Sequence, residues 1–143
     1  MMETIFRITE THQGFEVVFH ELSSKKSEKV FGRPGIYSAR YAGNHDFDKN
    51  MDKVLEEMLD KNDREAYFIT VLCLYNEHGA EYFEGRVYGD LSTERSGNKG
   101  FGYDPIFIPK NHEISFADMP AEQKNAMSHR KNALDKFLAF LEK

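Results

Sequence analysis

A chain of 143 residues is the size of one domain and long enough to bury a core without disulfides or a structural metal. Its 40% hydrophobic, 13% aromatic and 30% charged residues exclude an intrinsically disordered chain. Nineteen Lys and Arg against 24 Asp and Glu leave a net charge of −5, which excludes duplex nucleic acid as a partner held by the overall field.

The start, Met1 to Arg7, lacks the apolar core of a signal peptide. Residues 4–22 alternate weakly, with Ile5, Ile8, Phe15, Val17 and Phe19 separated by polar residues, and His12-Gln13-Gly14 lies between the two arms. The pattern predicts a β-hairpin. Residues 23–30 form a lysine-rich polar loop, and Arg33-Pro34-Gly35 signals a turn. Over residues 46–61, Phe47, Met51, Val54, Leu55, Met58 and Leu59 recur at helical spacing and predict an amphipathic helix that packs on the core.

Residues 66–75, rich in β-branched and aromatic side chains, predict a central strand. Cys73, the single cysteine, lies within this apolar run and reads as a structural thiol; with no internal disulfide to form, the chain suits a reducing compartment. The longest apolar stretch, Phe68 to Tyr75, is far short of the about 20 residues that cross a bilayer, so the expectation is a soluble cytoplasmic protein. Asn76-Glu77-His78-Gly79 is a hairpin turn and residues 80–91 its partner strand. A Gly-rich loop over 96–100 leads to a short strand at 106–108. A last helix is expected to start near Asp118 as its cap, with Pro120 in the first turn and Met127, Leu134, Phe137, Leu138 and Leu141 as its apolar face. Helices on a mixed or antiparallel sheet, an α/β fold, follow from this order.

Two clusters carry chemistry. In Gly100-Phe101-Gly102-Tyr103-Asp104-Pro105, glycines permit close backbone approach and the rings offer faces on which a base can stack. A tight turn with two buried rings fits the same residues. In Lys124-Asn125-Ala126-Met127-Ser128-His129-Arg130, Lys124 and Ser128 are i and i+4 on a helix, with His129 and Arg130 continuing the polar side. Donors from Lys, His and Arg suit a keto oxygen and oppose the amino group of adenine. A solvated basic face is the plainer alternative.

Together the clusters are similar to the inosine triphosphate pyrophosphatase family: Gly-Phe-Gly-Tyr-Asp-Pro, then Glu122-x-Lys124-Asn125-x-x-Ser128-His129-Arg130. The blocks Pro34–Gly43, Phe83-Glu84-Gly85 with Gly89, and Ser115-Phe116-Ala117-Asp118 match as well, so the resemblance covers residues 32–143, with 1–31 a divergent hairpin and loop of the same domain. It implies an elongated α/β fold with a cleft between two lobes, Mg²⁺ dependence, a homodimer, and hydrolysis of ITP, dITP and XTP to monophosphate and pyrophosphate. Carried over, Phe101, Gly102, Tyr103 and Asp104 line the base pocket, Lys124, Ser128, His129 and Arg130 recognise the keto base, and Pro34–Gly43 lies near the cleft and dimer interface.

The chain departs from the family's opening pattern. No Thr/Ser-x-Asn-x-Gly-Lys phosphate-gripping segment is found, nor the helical Glu that helps hold the metal. Where the family has Asp-Asp-Ser-Gly-Leu, the nearest match is Thr11-His12-Gln13-Gly14-Phe15, which lacks both carboxylates. Glu10 and Glu16 are the substitute metal ligands on offer, His12 the substitute base, and Lys25, Lys26 and Lys29 the substitute phosphate cations. Catalytic and metal-binding residues therefore stay unassigned. The alternative to a hydrolase is a purine-nucleotide-binding or dimerising remnant of the family.

Overall fold

The computed structural model of the chain describes residues 2–3, 15–24 and 34–143, with the backbone alone described at 2–3, 15–24, 35–36 and 75–76. The first arm and turn of the expected 4–22 hairpin, with Glu10, Thr11 and His12, lie outside the described residues, as do Lys25, Lys26 and Lys29 of the polar loop.

The described strands β1 (Met2–Glu3), β2 (Phe15–Ser24), β3 (Glu65–Asn76), β4 (Gly79–Leu91) and β5 (Phe107–Pro109) form one sheet in chain order. Every neighbouring pair is antiparallel. Strands β3 and β4 are a hairpin whose register runs from Glu65↔Asp90 to Asn76↔Gly79. Its tip turns through Glu77 and His78 and ends on Gly79, at φ +116°, a left-handed backbone that favours glycine.

On β3 the even-numbered residues Ala66, Phe68 and Thr70 are buried on the face shared with Val87, Gly85 and Phe83 of β4. That face meets helix α1 (Phe47–Glu57), which contributes Met51 and Val54, with Met58 just beyond its end, and the segment that contributes Tyr103, Ile106, Phe107, Phe116 and Met119. Helix α1 is shorter than the expected 46–61. Asp46 caps it, its carboxylate accepting from the Lys49 amide at 3.1 Å, and this bond holds the carboxyl below its usual range. At the other end Arg64 donates to the carbonyls of Met58 (2.6 Å), Leu91 (2.7 Å) and Ser92 (2.7 Å), so one guanidinium closes the helix onto the end of β4. Leu59, expected on the core face, is therefore left 81% exposed in the turn.

The turn signalled by Arg33-Pro34-Gly35 continues as a 3₁₀ helix, Gly35–Arg40. Asn50, fully buried on α1, holds it: its amide donates to Ala39 O (2.9 Å) and its oxygen accepts from Ala42 N (2.7 Å).

The expected last helix is two. The carboxylate of Asp118, the expected cap, accepts instead from the hydroxyls of Ser96 and Ser115. Helix α2 (Ala121–Met127) begins after Pro120, and Ser128, with ψ 153°, breaks the run before α3 (His129–Leu141). The Ser128 hydroxyl caps α3 by accepting from the Lys131 amide at 3.2 Å.

The apolar face expected of this helix is corrected as well: Leu134, Leu138 and Leu141 are 46%, 47% and 55% exposed. Of that face Phe137 does pack, on Phe83, and Met127 lies against the core; α3 otherwise approaches through Ala133 and His129, because Gly85 on β4 leaves room for the helix backbone itself. A Cβ on residue 85 would fall inside the contact distance of the His129 carbonyl oxygen and the Ala133 amide nitrogen. The helix then satisfies alternate carbonyls on the open side of β4: Asn132 donates to Arg86 O (2.8 Å) and Lys136 to Glu84 O (2.6 Å), while the Lys110 amide serves Tyr88 O (2.9 Å).

Gly85→Ala is expected to lower the unfolding free energy by about 2–3 kcal/mol, since backbone on both elements must move to admit the methyl. Chemical denaturation of the two proteins checks this; a change below ~0.5 kcal/mol would show that the approach of α3 is not tight.

Candidate functional site

Where β3, the loop after Gly100 and the α2–α3 break meet, the surface opens into a cleft of about 350 Å³. That is within the size range of small-molecule sites. Phe68 and Phe116 lie in its apolar lining, their rings stacked at 6.0 Å with 18° between planes. The His129 ring lies on the Phe68 face at 5.3 Å and 22°. Around this bed stand Phe101, Asp104, Lys124, Ser128 and Arg130.

One wall of the cleft is fixed by a carboxylate. Asp104, 5% exposed, accepts from the Phe101 amide (3.0 Å) and forms an ion pair with Lys124. The loop before it passes so close that Gly100, at φ +75°, has no room for a Cβ beside the Asp104 carboxylate. Lys124 and Arg130 both stand near the Phe101 ring, at 5.3 Å and 4.9 Å from its centre, within cation–π range.

His129 is 5% exposed, and its Nδ1 is hydrogen-bonded to the Thr70 hydroxyl. Burial, reinforced by the charges of Arg130 and Lys124, pushes its pKa down to about 3. At neutral pH it is an uncharged hydrogen-bonding ring, and the positive charge of the cleft comes from its two neighbours.

Six of the eight residues expected at the base pocket, Phe101, Asp104, Lys124, Ser128, His129 and Arg130, line this cleft. Gly102 and Tyr103 do not. Tyr103 is fully buried in the core, where its hydroxyl donates to Ser38 O at 2.9 Å. Its aromatic face is used for packing, a correction to the expectation that it meets a ligand. The break at Ser128 also corrects the idea of one helical face: Lys124 comes from α2, while His129 and Arg130 begin α3. The sequence reading passed over Phe68 and Thr70. The signal available was their i, i+2 spacing on a central strand, which puts both on one face. Among the described residues no group of three or more His, Cys, Asp or Glu side chains is placed to hold a metal ion.

The Ham1 family model matches residues 9–140. The chain belongs to the Ham1 family. It is 39% identical over 133 residues to a dITP/XTP pyrophosphatase of Christiangramia forsetii, covering 92% of this chain and 70% of that one. A dITP/XTP pyrophosphatase of Porphyromonas gingivalis is 46% identical over 110 residues, covering 76% of this chain. The chain spans only 57% of that relative's length. Among solved structures, the Staphylococcus aureus Ham1 protein superposes with a TM-score of 0.83 at 34% identity, over 92% of this chain and 69% of that one. The α/β architecture of an antiparallel sheet with flanking helices is thus that of Ham1 proteins.

The neutral state of His129 gives stability a definite pH dependence. An unfolded histidine takes up a proton near pH 6.5, while the folded one resists down to about 3. Its contribution is therefore complete above pH 6.5 and is lost as pH falls toward 3, by up to about 1.4 kcal/mol per pH unit. Between pH 6 and 4 the unfolding free energy should fall more steeply for the wild type than for His129→Gln, measured by denaturation at each pH; parallel slopes would refute it.

Proposed function

We propose that this chain recognises deaminated purine nucleoside triphosphates (ITP, dITP and XTP) in the cleft between Phe101 and Arg130, and hydrolyses them to monophosphate and pyrophosphate. The observation that carries the reading is the convergence of cation-bearing and aromatic groups on one stacked bed. Phe101 offers a ring face, Phe68 and Phe116 an apolar lining, and Lys124 and Arg130 hydrogen-bond donors with no acceptor among them. A purine with keto oxygens matches such donors, and adenine's amino group meets them donor against donor. The names of the relatives, dITP/XTP pyrophosphatases, point the same way.

Mg²⁺ dependence and a homodimer belong to the same proposal. The metal would neutralise charge on the phosphates; among the described residues no group of three or more His, Cys, Asp or Glu side chains is placed to hold it. The 57% exposure of Tyr37, in the Pro34–Gly43 block, supports an interface there. The single cysteine supports a cytoplasmic location. No helix among the described residues is long and apolar enough to cross a membrane.

One observation favours a second reading, nucleotide binding without turnover: at the nearest match to the family's paired aspartates the sequence has Thr11 and His12. Pyrophosphate release from ITP, XTP and ATP with Mg²⁺ separates the two. The enzyme reading expects selective turnover of ITP and XTP above about 1 s⁻¹. No turnover with a raised Tm in ITP establishes the binding reading, and no response to either assay overturns both.

Arg130→Ala and Lys124→Ala should each weaken ITP binding by about tenfold or more, the worth of one charge-assisted hydrogen bond. Phe137→Ala, which packs α3 on Phe83, should not, once titrations are run on fully folded protein. Equal losses in all three would count against a base site.

A further inference from the structure

Thr70 stands outside every motif of the resemblance. It lies in the middle of β3, fully buried, with β2 paired on one side at Phe19 and β4 on the other at Gly85. Its hydroxyl is hydrogen-bonded to Nδ1 of His129, and among the described residues it has no second partner. A threonine hydroxyl brings one hydrogen to such a contact, and a neutral imidazole brings one hydrogen and one lone pair. Were Nδ1–H to donate to Oγ1, the hydroxyl hydrogen would be stranded in a site closed to water. With the hydroxyl donating to Nδ1, that hydrogen is bonded and the ring proton resides on Nε2. The ring cannot turn freely away, because its face rests on Phe68.

We propose that Thr70 is a positioning residue that sets base specificity: by donating to Nδ1 it holds His129 as the Nε2–H tautomer, so that the imidazole offers a hydrogen to a purine oxygen and opposes an exocyclic amino group. The proposal rests on the purine reading of the cleft. It explains how a neutral histidine joins Lys124 and Arg130 as a third donor beside the stacked rings. The opposite tautomer would place an acceptor in the same position and welcome adenine. Burial and the two neighbouring cations keep the ring from taking a second proton, so the tautomer, and not the charge, is what Thr70 controls.

The test uses the whole chain, with Thr70→Val removing the hydroxyl at nearly constant shape and Thr70→Ser keeping it. Nitrogen-15 NMR of the wild type at pH 7 reads the His129 tautomer, and Kd is measured for ITP and ATP with all three proteins. The expected result is the Nε2–H form, with an ITP-over-ATP ratio that falls about tenfold in T70V, the loss of roughly one hydrogen bond, and recovers in T70S. A purely structural role would weaken both nucleotides alike and leave the ratio unmoved. An Nδ1–H tautomer in the wild type overturns the proposal, as does a T70V ratio equal to that of the wild type. A wild type that binds ITP no better than ATP overturns the purine reading and the proposal with it, whereas a preference that survives in T70V overturns the proposal alone. Should T70V not fold, the wild-type tautomer decides.

Discussion

Helix α3 can lie against strand β4 only because residue 85 carries no side chain. The approach is backbone to backbone, with the His129 carbonyl and the Ala133 amide occupying the space a Cβ would fill. That contact sets how far the start of α3 reaches across the sheet. It brings the His129 ring onto Phe68 and next to Thr70, and it carries Arg130 to the rim near Phe101. The leucines of α3 are left partly exposed.

A second constraint organises the other wall. Asp104 is a nearly buried carboxylate, and such a charge is tolerated only when it is paired and hydrogen-bonded. The Phe101 amide and the Lys124 ammonium meet that requirement, so the glycine-flanked loop and α2 are tied to one point. The ammonium held there still lies within range of the rings of Phe101 and Phe116. One side of the cleft is thus set by a close backbone approach and the other by a compensated charge.

Much of this could be read from the residues in order. The β3–β4 hairpin followed from a β-branched run, a turn ending in glycine and a second alternating run, all of them local signals. Helix α1 followed from its apolar spacing, although its end did not, because Arg64 closes it through carbonyls from another element. Six of the eight expected pocket residues line one cleft because two short motifs carried them. The failures are non-local. Tyr103 looks like a second stacking ring in the sequence, and only the packing of Ile106 and Phe107 shows that its face is taken. Ser128 looks like one more polar position on a helix, yet its side chain caps a new one. Thr70 gave no signal alone, since its partner lies on α3.

The carbonyls of Glu84, Arg86 and Tyr88 are occupied by Lys136, Asn132 and the Lys110 amide. An open strand border is otherwise a template on which another chain's backbone can zip up, and that is how many sheets grow into dimers or fibrils. Here an incoming strand would have to displace two side chains and a loop amide before gaining its first bond. The border beside α3 is accordingly capped against sheet extension, and a partner that meets the chain there must use side chains, whose shape and polarity can discriminate, in place of a backbone ladder.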